Sequence, residues 1–326
     1  MRRMHPVLCF GEALIDFVPL QKGQRLADVD TFARVPGGAP ANVAVAVARL
    51  GGRALFAGQV GRDGFGDCIR TALQAGGVDT RWLRQTPAAR TALAFVSLSA
   101  TGERDFAFYR DPSADMLFPA NAVQPEWFEG HGIFHFGTLS LTHPESRAAT
   151  ERAVALARRS GWLVSFDPNA RLDLWPSPQA FVAATLAMLP SCDIVKVAEE
   201  ELTLLQISTG ALLERGPRAL LLTCAERGAR LVTAAGLEAD APGLAVPVVD
   251  TTGAGDAFAG AMLFELSRKE ITPETLDAAL ADEASVRGWL AFANTCAAVS
   301  VTRRGAIPAM PTLTEVEALM RSSRRS

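Results

Sequence analysis

Asp250-Thr251-Thr252-Gly253-Ala254-Gly255-Asp256 is the stretch on which both fold and chemistry turn. It comes after an apolar run at 244–249 that reads as extended, and it opens an apolar run at 257–266 with helical composition. A strand, a glycine turn and a helix start together make a phosphate cradle. The first N–H groups of a helix have no partner in the chain, and that end of the dipole is positive. Gly253 and Gly255 let the backbone approach a ligand in conformations other residues resist. Thr251 and Thr252 add hydroxyls, and Asp256 sets a carboxylate at the mouth of the turn. An acid beside an anion cradle makes a poor phosphate site at rest. It makes sense where the acid orients an attacking hydroxyl and takes its proton. The competing reading is an Asp that only caps a helix, and the turn alone does not separate the two.

The rest of the composition narrows the class. A chain of 326 residues suits one large α/β domain or two small ones. Hydrophobic residues make up 49%, which excludes disorder as a general description. A net charge of −3 leaves no basic footprint for nucleic acid. No apolar run approaches the roughly 18 residues a membrane helix needs. Met1-Arg2-Arg3-Met4-His5-Pro6 is basic, but Glu12 and Asp16 interrupt the apolar stretch behind it, so no signal peptide is read. Cys9, Cys68, Cys192, Cys224 and Cys296 are scattered and never spaced CxxC, as reduced core cysteines are, and the expected compartment is the cytoplasm.

Working outward from the glycine turn, residues 7–20 read as one strand carrying two acids. Glu12 reads as solvated on an outer face, whereas Asp16, between Ile15 and Phe17, needs a partner or a ligand. Pro36-Gly37-Gly38-Ala39-Pro40-Ala41-Asn42 precedes a small-residue helix at 43–50, apolar all round and therefore buried. Asn42 either caps that helix or holds a substrate hydroxyl. Residues 60–67 contain a weak GxxGxG loop signal. Alternating runs at 92–99 and 104–109 flank Ala100-Thr101-Gly102-Glu103, a hairpin signature and an expected flap. From Gly132 onward apolar runs alternate with helical ones, which implies a parallel, doubly wound sheet. His131 and His135 have a metal-pair spacing but fall around a strand with no third ligand in view. Asp167-Pro168-Asn169-Ala170-Arg171 and Glu199-Glu200-Glu201 each come after a strand end, where such sheets bind ligands; the acidic run is also what a solvated helix start looks like. The tail at 321–325 reads as frayed.

Taken together, these pieces resemble the PfkB (ribokinase-like) family of carbohydrate kinases over nearly the whole chain. The resemblance rests on Gly37-Gly38-Ala39-Pro40-Ala41-Asn42 early, and on Asp250-Thr251-Thr252-Gly253-Ala254-Gly255-Asp256-Ala257-Phe258 late. Val60-Gly61-x-Asp63-x-x-Gly66, Asp167-Pro168-Asn169 and Val301-Thr302-Arg303-Arg304-Gly305-Ala306 match between and after them. The family implies an α/β fold, a mostly parallel sheet flanked by helices with a small β-sheet lid. Residues 1–326 would be a single domain, with lid strands inserted at about 16–36 and 91–110. It implies ATP-dependent, in-line phosphorylation of a hydroxymethyl group, with Asp256 as base and Gly253, Ala254 and Gly255 as the anion hole. Asp16, Gly37, Gly38, Asn42, Phe95, Phe108, Arg110, Asn169 and Arg171 would hold the sugar. Lys196, Glu199, Thr223, Gly228, Ala254, Gly255 and Asn294 would meet the nucleotide. Mg²⁺ would sit on Glu199 through water, and K⁺ beside Asp250, Thr252, Ser300, Arg303 and Gly305.

Two departures stand out. Lys196-Val197-Ala198-Glu199 replaces the Asn-x-x-Glu of ribokinases, and a lysine meets phosphate as a point charge. Thr223-Cys224-Ala225-Glu226-Arg227-Gly228 lacks the middle glycine of the usual Thr-x-Gly-x-x-Gly. The segments 108–116 and 166–175, with Lys196-x-x-Glu199, resemble the fructokinase branch, so D-fructose is the expected sugar. Arg104, Arg110 and Arg171 would favour an acid such as 2-keto-3-deoxygluconate unless Asp105, Asp111, Asp115 or Asp173 occupies them. Ribokinase and nucleoside kinase are the within-class rivals, the latter kept open by Phe95, Phe106 and Phe108. A catalytically silent sugar sensor is the rival from another class. No GxGxxG comes after the first strand, which argues against a dehydrogenase. Two further expectations concern physics. The helix dipole should lower the pKa of Asp256, and the outer face of a small lid should pair two subunits.

Overall fold

The structure is a computed structural model that describes residues 4–21, 23–98 and 104–323, with backbone only at 97, 98 and 104–106. The expected turn at 100–103, the side chains of Arg104, Asp105 and Phe106, and residues 324–326 of the tail lie outside that description.

Thirteen strands fall in two sheets among the described residues. They are β1 (Val7–Phe10), β2 (Leu14–Pro19), β3 (Phe32–Gly37), β4 (Ala54–Gly61), β5 (Asp79–Thr86), β6 (Leu93–Leu98), β7 (Arg104–Tyr109), β8 (Ile133–Gly137), β9 (Leu163–Asp167), β10 (Ile194–Ala198), β11 (Ala219–Thr223), β12 (Ala229–Thr233) and β13 (Glu238–Ala241). The large sheet runs β13-β12-β11-β10-β9-β8-β1-β4-β5, parallel from β11 to β5, with β12 and β13 added antiparallel at one edge. Its inner strands read VLCF, IFHFG, LVSFD and ALLLT because both faces are covered. Alternation sends Val7 and Cys9 into one core, with the helices Ala39–Arg49, Ala254–Arg268 and Glu283–Ser300. It sends Leu8 and Phe10 into another, with Pro144–Arg159 and Pro178–Met188. His135 lies inside this sheet, its Nδ1 3.0 Å from Ser165 Oγ, and burial together with the Lys196 charge pushes its pKa down to about 3.

The small sheet runs β3-β2-β6-β7, with β6 and β7 forming the expected hairpin. Residues 7–20 are not one strand. The chain turns at Gly11, whose φ of +145° few side chains adopt, and β2 leaves for the second sheet. Glu12 sits in that joint, 4% exposed, instead of on a solvated face. The helix near Asn42 starts earlier than expected, at Ala39, with Pro40 in its first turn. Asn42 is therefore inside the helix, its N–H donating to Gly38 O at 2.8 Å, and is not the cap. Residues 61–67 are the end of β4 and the start of the Gly64–Ala75 helix, capped by Asp63. Residues 244–249 form no strand. Pro247 has no N–H, Val248 is exposed, and Val249 and Asp250 donate to Val301 O at 2.8 and 3.2 Å.

Candidate active site

The order of the large sheet reverses between β1 and β8, and open α/β sheets bind ligands at such a point, beyond the strands' carboxyl ends. A cleft of about 890 Å³ lies there, between the small sheet and the opening of the Ala254–Arg268 helix. Gly253 takes a left-handed φ of +78° to turn the chain into that helix. By position, the N–H groups of Gly255 and Asp256 have no intrahelical acceptor. A side chain at Gly255 would stand 3.1 Å from Lys196 Nζ, so the ammonium faces the same opening.

Asp256 is 8% exposed, and its Oδ2 accepts a 2.7 Å hydrogen bond from Asn42 Nδ2. The dipole expectation fails here. Burial, helped by Asp167, raises the Asp256 pKa to about 6, against the pull of Asn42, Lys196 and Arg171. Desolvation of a carboxylate outweighs half a unit of dipole charge. Lys196 lies 3.1 Å from Asp167 Oδ2; burial alone would depress its pKa, but Asp167, Glu201 and Asp256 raise it, so it stays charged.

Crowding explains the glycines of the early motif. A Cβ on Gly37 would fall 2.6 Å from Asp16 Oδ2, and one on Gly38, at φ +105°, 2.5 Å from Glu12 O. Asp16, Gly38, Asn42, Phe108, Asn169 and Arg171 all line the cleft. Asn169 holds a left-handed φ of +45°, and Arg171 donates to Ala170 O at 2.8 Å. Gly37 is not among the lining residues, and two other expected sugar contacts stand elsewhere. Asp16 pairs with Ala94 and Ala94 with Phe108, so these three share the inner face of the small sheet. Phe95, one residue on, points to the outer face and stacks on Phe17 at 4.7 Å. Arg110 is buried with its guanidinium on Asp115 (2.5 and 3.0 Å) and on Leu139 O. Of the carboxylates named as its possible partners, Asp115 is the one it takes.

Among the residues expected at the nucleotide, Glu199 pairs with Arg227, and Thr223 Oγ1 lies 3.5 Å from Val197 O. Ala225 adopts φ +49°, the conformation a glycine would take freely, so the turn persists without its middle glycine. Gly228 is required because a Cβ would fall 2.2 Å from Ala241 O. Asn294 donates through its Nδ2 to Ala241 O and Pro242 O. Around Asp250, Oδ1 accepts from Thr252 N and Oγ1 (2.9 and 2.6 Å) and Oδ2 from Gly305 N (2.9 Å). Ser300 O accepts from Arg303 N, and Arg303 pairs with Glu315.

Two residues of the site were missed. Glu201, not Glu199, is the buried acid of its run; it accepts from Ala198 N (2.8 Å) and Ala170 N (2.7 Å), tying the Asp167–Arg171 turn to β10. Its place as third residue of the helix, where a glutamate closes back on the start, was the available signal. Glu12, which also lines the cleft, carried no such signal.

A mostly parallel α/β sheet with a small second sheet over a glycine turn, a helix start and a buried carboxylate defines a ribokinase-like phosphotransferase. The chain belongs to the family described as "pfkB family carbohydrate kinase", whose model matches residues 4–313. It is 41% identical over 324 residues to probable fructokinase-4 of Arabidopsis thaliana, covering 97% of each chain. It superposes on a fructokinase of Xylella fastidiosa with bound ATP at a TM-score of 0.90, with 38% identity, covering 98% of this chain and 99% of that one. A double-mutant fructokinase of Vibrio cholerae O395 in a fructose-, ADP- and potassium-bound form matches at a TM-score of 0.85, with 33% identity, covering 97% and 98%. The protein is a sugar kinase.

Proposed function

We propose that the protein transfers the γ-phosphoryl group of ATP to the 6-hydroxymethyl of D-fructose, giving fructose 6-phosphate and ADP. The observation that carries the chemistry is the Asn42–Asp256 pair at the opening of the Ala254–Arg268 helix. Asn42 holds Asp256 Oδ2, leaving the other oxygen to orient the sugar hydroxyl and take its proton as the O–P bond forms. The N–H groups of the first helical turn and Lys196 face the phosphoryl oxygens. Attack is in line, with no phosphoenzyme. Similarity to fructokinases supports fructose. So does the commitment of Arg110 to Asp115, which leaves one guanidinium fewer for a sugar acid, and the outward turn of Phe95, which leaves less aromatic surface for a nucleobase. ADP release with fructose, ribose, 2-keto-3-deoxygluconate and adenosine, side by side, tests this; fructose should give the highest kcat/KM.

Asp16, Gly37, Gly38, Asn42, Phe108, Asn169 and Arg171 form the sugar site in this reading, and Thr223, Gly228 and Asn294 frame the nucleotide. Mg²⁺ bound with ATP would shield phosphate charge; with one Glu199 oxygen on Arg227, Glu199 would meet it through water. Asp250 has both oxygens taken by the loop, so a K⁺ ion there would be held by backbone carbonyls, with the Asp250 charge behind them. The small sheet acts as a lid that closes over the sugar and excludes water. Its outer face carries Phe17, Phe32, Phe95 and exposed Tyr109, which a second copy would cover as a homodimer. Sedimentation at micromolar concentration tests the dimer. Five free cysteines suit a reducing cytoplasm.

A further inference from the structure

Glu12 stands where the chain crosses from the large sheet to the small one, 4% exposed and lining the cleft. Its Oε1 accepts from Ala39 N at 3.1 Å, at the start of the Ala39–Arg49 helix. Its Oε2 is enclosed and has no hydrogen-bond partner among the described residues. Asn42 Oδ1, one turn further along that helix, is enclosed and unpartnered in the same way. Buried polar atoms are nearly always bonded, because an orphan forfeits its hydration with no return. Two orphans beside one helix opening, both in residues that line the cleft, therefore point to a ligand that supplies the missing bonds.

The surroundings say which ligand chemistry fits. Arg110 and Asp115 are the charged groups nearest Glu12 in their influence. Arg110 directs its donors to Asp115, Thr142 and Leu139 O. That leaves a floor with a carboxyl oxygen to satisfy and a guanidinium already neutralised. A sugar hydroxyl donates and accepts, so it satisfies Glu12 Oε2 in either protonation state. A carboxylate or phosphate on the ligand would meet Glu12 and Asp16 as like charges.

We propose that Glu12 is a specificity-determining residue of the sugar site: its Oε2 bonds a sugar hydroxyl other than the one phosphorylated, selecting neutral sugars over sugar acids. Burial pushes the Glu12 pKa up to about 7, so both forms exist near neutrality, and a hydroxyl serves both. The inference rests on reading the cleft as a sugar site, and its test separates the two.

The experiment uses a series of deoxy analogues, each lacking one non-reacting hydroxyl of the neutral sugar the wild type uses best, with wild type, Glu12→Gln and Glu12→Ala. In the wild type one analogue should lose about 10- to 100-fold in kcat/KM relative to the parent sugar. In Glu12→Ala that analogue should be used as well as the parent, while the others keep their wild-type penalties. The loss against the parent should fall mainly on KM, and Glu12→Gln should narrow the preference for the neutral sugar over 2-keto-3-deoxygluconate. Each comparison is a ratio within one variant, so a smaller folded fraction does not disturb it. Glu12→Gln also keeps an acceptor for Ala39 N. If every analogue carries the same penalty in Glu12→Ala as in the wild type, Glu12 is structural and the inference falls. If another neutral sugar outperforms fructose, the fructose reading falls and this one stands or falls on the series. A sugar acid as best substrate overturns both.

Discussion

Asp250 and Asp256 close the two ends of one short stretch, and the loop at one end treats its carboxylate in the opposite way to the helix turn at the other. Three donors from Thr252 and Gly305 saturate Asp250, whose job is to fasten the loop. Asp256 is buried with one hydrogen bond, from Asn42, and its proton affinity rises accordingly. The lesson is that burial first, and donor supply second, set two carboxylates of one stretch apart, whatever their places in the motif.

The sharpest way to break that contrast is Asp256→Asn. With Asp256 as the proposed base, kcat should fall by about 10²–10⁴ and both KM values should change little. The same variant should be more stable than the wild type by about 1–2 kcal/mol at pH 7.5, because an ionised carboxylate of raised pKa opposes folding. The sign is checkable by thermal melts. The advantage should shrink as pH falls through 6 toward 4, where the folded wild type takes up its proton first. Normal turnover removes Asp256 from the proposed reacting role, and no gain in melting temperature removes its raised pKa.

Asp250→Asn attacks the saturated end. Its amide would turn a donor toward a donor, loosening the loop, and activity should drop about 10- to 100-fold. Wild-type activity should respond when K⁺ is replaced by a large organic cation, and the variant should not. An equal response in both breaks the link between Asp250 and the cation.

The pH profile sharpens the comparison further. With Asp256 near 6, kcat/KM should fall about tenfold per unit below that pH. Asn42→Ala removes the donor that favours the ionised form, so the acid limb should move to higher pH; an unmoved limb would assign it to another group. The smallest effect is one of backbone strain. Ala225→Gly relieves a left-handed alanine and should stabilise by about 0.5–1 kcal/mol in denaturant titrations.

Much of this was legible because it is local. The glycine turn at 253–255, the hairpin at 92–109 and the continuous apolar strands are each spelled out by neighbouring residues. What failed was non-local or competitive. Nothing near Glu12 says that the chain changes sheets there, and that crossing is what buries it. Phe95 and Phe108 look alike in sequence, and only strand register sends them to opposite faces. The dipole at Asp256 is a real force, yet desolvation by distant elements exceeds it. The extended run before Asp250 pairs with no strand among the described residues, which no window of residues reveals.

The hydrogen bond between Asn42 and Asp256 joins positions 214 apart, and Arg49 reaches the carbonyl of Met310 across 261. Contacts of that span are the slowest to form and come last during synthesis. A chain emerging from the ribosome therefore carries the proposed sugar-site residues, Asp16 to Arg171, before Asp256 has been made. On the proposed reading, copies that end before Asp256 lack the base with which a sugar hydroxyl would be phosphorylated.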